Sequence, residues 1–266
     1  MKEFTLYKDN KLDVQRLVYI LISVGLFFVI WWLAAKYSPR NRIPTPGATF
    51  AMLGNIMTTR GTWTNIGMTA YRVLLGAAIG GVSGTAFAIA TRYWDIALFA
   101  VDNVIGHVLK SVPGICWAFI FVLWFGLSNM TPVLIIAMSV APIFLVSVSE
   151  GIKNMDMQLI EMSSVYTGNK IRILTKVIIP LVVPFIFTAV KSSLSFAWKM
   201  IVLSEMYGAF NGIGYMISLA YDGFLVVRIL SWTIILLVMM LIVDGLILGR
   251  IESGIIRKWQ ITKKSV

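Results

Sequence analysis

Lys191, Ser195 and Lys199 recur at every fourth position of an otherwise strongly apolar stretch, with Trp198 beside the last of them. On a helix that spacing lays all three on one face. Ionisable side chains are costly inside a membrane, so each one there carries a functional hypothesis. Two ammonium groups on one internal face can draw an anion along a path. They can equally pair with Glu205, Asp102 or Asp244, or reach an interface along their flexible stems. Lys191, nearer the charged end of the stretch, fits the second reading better. A second group precedes it: His107, Lys110, Ser111, Gly114 and Trp117 share a helical face and run into Pro113-Gly114. Proline removes a backbone donor and bends a helix, and in transporters such breaks often border the substrate path. The candidate lining of a translocation path is therefore Lys199, Ser195, Trp198, Lys110, His107, Trp117 and Glu205. Arg72, in another apolar stretch, reads as half of an intramembrane structural pair.

Other chemistry has no residues to carry it. His107 is the single histidine and has no evident acid–base partner, and Cys116 is the single cysteine. A histidine cluster, a multi-cysteine metal site and an internal disulfide are excluded. No G-x-x-x-x-G-K-[ST] occurs, so the chain has no P-loop of its own to cradle a nucleoside triphosphate. No catalytic constellation is visible.

The elements that must position these residues are membrane spans. The chain has 266 residues, 58% hydrophobic and 13% charged, against about 25% charged in soluble domains. The net charge of +11 would point to nucleic acid in a soluble protein. Here it reads as basic loops beside anionic lipid, and no nucleic-acid partner is expected. A span needs about 20 apolar residues, and six stretches qualify: 17–36, 66–90, 96–125 (broken at Pro113-Gly114), 131–149, 177–206 and 224–248. A short helix is expected over 49–57. Gly76, Gly80 and Gly84, four apart in the second stretch, predict close helix packing. Residues 1–16 mix basic and acidic side chains, and no small-residue cleavage site follows the first apolar run, so that run is read as a retained span.

Six spans put both termini on one side. The N-terminal segment, Arg92, the central loop and the tail 249–266 hold fourteen basic residues, against five at most on the opposite side. The positive-inside rule then places the termini and the central loop in the cytoplasm. The transmembrane domain is 17–248, and its largest structured polar interruption falls within 150–180, with a loop over 150–177. Apolar residues there recur at helical spacing, predicting two short amphipathic helices. Gly168-Asn169 between them suits a left-handed turn. Such a loop is expected to touch a soluble cytoplasmic partner.

The loop also resembles a known motif. Permease subunits of bacterial ABC importers carry E-A-A-x-x-x-G and, at a fixed interval, an apolar residue, one further residue and L-P. Glu161-Met162-Ser163-Ser164-Val165-Tyr166-Thr167 is similar to its start, and Val177-Ile178-Ile179-Pro180 to its end. The chain departs from the motif in Met162 and Ser163 for the paired alanines, and in Thr167 with the glycine one place later, at Gly168. The turn is accordingly expected one residue late. Arg72-Val73-Leu74-Leu75-Gly76, Lys110-Ser111-Val112-Pro113, Val122-Leu123-Trp124-Phe125-Gly126, Glu205-Met206-Tyr207-Gly208-Ala209 and Gly212-Ile213-Gly214-Tyr215 resemble, in that order, segments of the family's nitrate/sulfonate/taurine branch.

The resemblance implies an all-α type I importer permease in the bacterial cell membrane, working as a homodimer among membrane lipids. It implies coupling helices that dock on cytoplasmic ABC ATPase subunits, which bind the ATP and magnesium, and an extracytoplasmic binding protein that delivers substrate. It implies no cofactor in this chain, coupling roles for Glu161, Thr167, Gly168, Asn169 and Pro180, and a small anion or a vitamin precursor as substrate. The alternative from another class is a secondary transporter driven by an ion gradient, with Glu205, Asp102 and Asp244 as proton-coupling candidates.

Overall fold

The computed structural model describes residues 10–38, 42–91, 111–154 and 157–259. The helices are α1 (Asn10–Tyr37), α2 (Pro46–Thr58), α3 (Thr62–Thr91), α4 (Gly114–Phe125), α5 (Met130–Lys153), α6 (Met157–Tyr166), α7 (Lys170–Ile173), α8 (Ile179–Gly208), α9 (Ile213–Asp222) and α10 (Val226–Trp259). Five described helices are long and apolar enough to cross a membrane: Leu17–Tyr37, Thr62–Thr91, Met130–Lys153, Ile171–Gly208 and Val226–Leu246. They account for five of the six expected spans. Of the broken third stretch, α4 forms the part after Pro113, and residues 92–110 lie outside the described set, taking Arg92, Asp102, His107 and Lys110 with them.

The centre of the bundle is α3 against α5. A Cβ on Gly76 would fall 2.8 Å from Ile136 Cβ, and one on Gly80 would fall 2.5 Å from the Ala137 carbonyl oxygen; one on Gly84 would strike the Ala141 carbonyl. Residue numbers rise together along both helices, so the two run parallel. The missing side chains are what let the backbones touch. α8 runs the other way: Phe185 near its start packs on Gly151 late in α5, and Glu205 near its end reaches Arg72 in α3. Val73, Ile136, Val140, Phe144, Trp198, Ile201, Ile213 and Trp232 share the main apolar core. The bundle thus has a loop end, carrying α6 and α7, and a far end, where α2, α9 and the start of α10 gather.

Local signals account for most boundaries. Thr45 caps α2, its Oγ1 accepting from Ala48 N at 3.3 Å, and Pro46 follows in the first turn, where its missing N–H costs nothing. That pair starts the helix three residues before the expected 49. Pro113 precedes the start of α4, as the expected break requires. α1 stands apart: nearly all of its span is exposed, Ala35 being buried, and it is tied on through Trp31 Nε1, which donates to the Pro44 carbonyl at 3.0 Å.

The central loop departs from expectation in two ways. The second amphipathic helix is not independent: α7 has four residues and passes through a π-helical turn, Leu174–Ile178, straight into α8. Pro180 has no N–H for the carbonyl four residues back, and its ring crowds that carbonyl; the wider turn just before it relieves the clash without ending the helix. The connection itself falls at 167–169, but positive φ among the described glycines occurs at Gly61, Gly126 and Gly212. Gly168 therefore turns the chain without entering the left-handed region.

Candidate coupling and translocation surfaces

In the central loop α6 closes with Thr167 N donating to the Ser163 carbonyl at 3.1 Å. Asn169 then caps the next helix, its Oδ1 accepting from Ile171 N at 3.0 Å and Arg172 N at 3.2 Å. This capping explains why the chain restarts at Lys170 without needing a left-handed residue. Asn169→Ala is expected to remove about 1 kcal/mol of local helix stability, read as faster hydrogen exchange at the Ile171 and Arg172 amides with the bundle amides unchanged. Glu161 and Gly168 are exposed and Thr167 is half-buried. Around them stand Val165, 86% exposed, Tyr166, 85%, and Ile171, 72%. Apolar side chains so open, on α6 and α7 at one end of the bundle, form a surface that can bury area against a partner.

The face of α8 read from the lysine spacing divides in two. Lys191 and Lys199 are exposed and Ser195 is half-buried. The expected pairing of either lysine with Glu205 or Asp244 is not made: Glu205 pairs with Arg72, and Asp244 Oδ1 accepts from Trp198 Nε1 at 2.9 Å. Trp198 is 2% exposed and Glu205 0%, so both lie inside the protomer and line no open surface. The residues expected to line a path thus divide between the interior of the protomer and its surface. Leu194, Trp198, Ile201 and Glu205 fall at i, i+4, i+7 and i+11, and this is the stripe that α8 turns to the core. Trp117 is half-buried and faces a cavity of about 180 Å³ shared with Val112, Gly114, Ser139, Pro142 and Phe196. Phe196 comes from α8, and Met200 of the same helix packs on Gly114, so the helix break and the fifth span do meet.

The densest polar chemistry is structural. At the far end Arg72 Nη1 donates to Glu205 Oε1 at 2.7 Å, with both side chains fully buried. Arg72 also donates to Asn129 Oδ1 at 2.7 Å, to the Asn211 carbonyl at 2.8 Å and to Asn211 Oδ1. Thr69 Oγ1 donates to Glu205 and accepts from Ile213 N at 2.9 Å, and Gly214 N donates to Glu205 Oε2 at 2.8 Å. The carboxylate thus caps the start of α9 while pairing with α3. Gly212 sits at φ 106°, with the carboxylate where a Cβ would be, so a side chain is barred there twice. The pairing of Arg72 follows the sequence reading. Asn129, Asn211 and Thr69 carried no signal, because polar residues near span ends are common and only the fold shows what they face.

These features define a polytopic membrane protein built of helices throughout its described residues. Residues 80–251 match the family described as the binding-protein-dependent transport system inner membrane component, and the chain belongs to that family: it is the permease subunit of an ABC importer, a family of transport subunits rather than ATPases. Among curated relatives it is 26% identical to the Bacillus subtilis protein named as aliphatic sulfonates transport permease SsuC, over 66% of this chain and 63% of that one. It is 22% identical to the Escherichia coli taurine transport system permease protein TauC, over 76% of each chain. It is 24% identical to the nitrate import permease protein NrtB of Synechococcus elongatus, again over 76% of each. The chain thus spans less than two thirds of the Bacillus subtilis relative. Its fold is similar to a chain of the MetNI methionine ABC transporter in an inward-facing conformation, with TM-score 0.56 and 18% identity over 73% of this chain and 94% of that one.

Proposed function

We propose that this permease works as one of a pair, with the path between the two copies, and that α6 docks on a cytoplasmic ABC ATPase that holds the ATP and magnesium. The observation that carries the reading is the open apolar cluster of Val165, Tyr166 and Ile171 beside Glu161 at the loop end, on the segment similar to the importer coupling motif. The helix continues from Lys170 through the π turn into α8, so a push on the loop would be delivered to the span that carries Lys199. The charge bias places that loop, and both termini, in the cytoplasm. The open flanks of α1 suit burial by lipid or by a second copy. A binding protein on the far side delivers the substrate, for which a small oxyanion such as a sulfonate or nitrate is the best class, given the relatives and the exposed lysines; a vitamin precursor is the other. Thr167, Gly168 and Asn169 shape the coupling turn, and Pro180 sets the helix geometry just behind it.

The test is Val165→Asp with Tyr166→Asp in cells carrying the ATPase and binding protein. Co-purification of the ATPase and ATP-driven uptake of taurine or nitrate are expected to fall at least tenfold while the permease still inserts. Unchanged uptake would remove α6 from coupling, and uptake by the purified permease without any ATPase would overturn the whole reading.

A further inference from the structure

At the far end, away from the coupling loop, α2, α3, α9 and α10 enclose a cavity of about 310 Å³, which is at the small end of ligand-sized pockets. Its lining includes the buried Trp232 and Ile56 with the exposed Arg60 and Arg228, and also Asn55 and Asn65. None of the lining residues is acidic, and among the described residues neither arginine has a carboxylate partner. Asn65 Oδ1 accepts from Gly212 N at 2.8 Å, so what this amide can still offer a ligand is its Nδ2–H donors. Thr59, also in the lining, spends its hydroxyl hydrogen on the Asn55 carbonyl at 2.8 Å. The site is rich in N–H donors and carries two guanidinium groups, which fit phosphate oxygens through planar paired donors.

A second cavity lies beside it, on the neighbouring faces of α2 and α3 and further along α10. Its volume is about 250 Å³, and Leu53, Met57, Ile66, Ile234, Val238 and Ile242 are among its lining residues. The order along α10 is informative. Arg228 and Trp232 face the first cavity, and residues 234 to 243 face the second. At 1.5 Å rise per residue the second stretch covers roughly 14 Å of helix, close to half of a hydrocarbon core about 30 Å thick. Trp63, 65% exposed at the edge of that groove, belongs to the residue type that gathers at the headgroup level. A cationic donor site beside an apolar groove that runs on along α10 matches one kind of molecule.

We propose that these two cavities form a site for a single anionic phospholipid, its phosphate held by Arg60 and Arg228 and an acyl chain lying along α10 between α2 and α3. The two arginines supply the charge complementarity, and the groove supplies the length. With the coupling loop in the cytoplasm, the lipid belongs to the outer leaflet. It would brace α2 and α10 beside the Asn65–Gly212 contact that leads into the Arg72–Glu205 network.

The test uses the full chain in detergent, with native mass spectrometry of retained phosphatidylglycerol against phosphatidylcholine of the same chain length. Wild type is expected to retain phosphatidylglycerol at least tenfold better. Arg60→Gln with Arg228→Gln is expected to bring the two lipids near parity, whereas Arg42→Gln, which removes an exposed charge on the same side but outside the cavity, is expected to keep the preference. Equal retention by wild type would overturn the proposal whatever the variants do, and so would an undiminished preference in the double variant. Binding of inorganic phosphate with no lipid preference would likewise overturn it, in favour of a soluble anion.

Discussion

Glu205→Ala is expected to be among the most damaging single substitutions in this chain, lowering stability by about 3–5 kcal/mol, the usual cost of stranding one partner of a buried ion pair. The guanidinium of Arg72 would remain fully buried, and the donors of Thr69 and Gly214 would lose their acceptor. The consequences run through the architecture, since that carboxylate joins α3, α8 and the start of α9. Arg72→Ala is expected to cost as much, because it leaves a buried carboxylate and two asparagine acceptors unpaired. Arg72→Met combined with Glu205→Leu is expected to recover a large part of the loss, since removing both charges removes the stranded one. Detergent-solubilised thermal unfolding of the two single variants and the double variant checks this. Additive losses would show that the pair is not coupled.

The second large effect is expected on the α3–α5 seam. In Gly80→Ala the new Cβ would fall 2.5 Å from the Ala137 carbonyl oxygen, which is backbone and cannot rotate aside. The helices must part, and with Gly84→Ala added they part along two successive turns. Each substitution is expected to cost about 1–3 kcal/mol, as overpacking does, and the pair to cost more than either alone. Gly67→Ala lies on the same helix with no neighbour within 4 Å of its Cβ position. Where the backbone is already helical and the space is open, alanine is expected to stabilise by about 0.4–1 kcal/mol. Thermal unfolding and yield from membranes separate the two cases. Equal behaviour of Gly67→Ala and Gly80→Ala would show that the seam is looser than described.

The chain's membrane class was legible without coordinates, because a bilayer demands long apolar runs whatever the fold. The spans in the first, second, fourth, fifth and sixth stretches, the glycine stripe and the helix break at Pro113 all rest on such local rules. The motif around Glu161 and Pro180 pointed to the importer permeases, since those residues lie close together in the chain and their spacing survives in sequence. The lysine spacing on α8 was also correct as a helical face. It did not reveal which neighbouring residues turn inward.

That decision belongs to tertiary structure. Trp198 and Lys199 are adjacent in sequence, and a helix of 3.6 residues per turn sends them in different directions; only the packing of α8 against its neighbours decides which one meets the core. Arg72 and Glu205 are 133 positions apart, so nothing local could pair them. The arginines of the far-end cavity, Arg60 and Arg228, likewise come from distant segments. By itself the sequence determined that this protein crosses a membrane repeatedly and belongs with the importer permeases. Which charges are buried together and which are left to meet a ligand was decided by the fold, because desolvation and ion pairing depend on neighbours in space, not on neighbours along the chain.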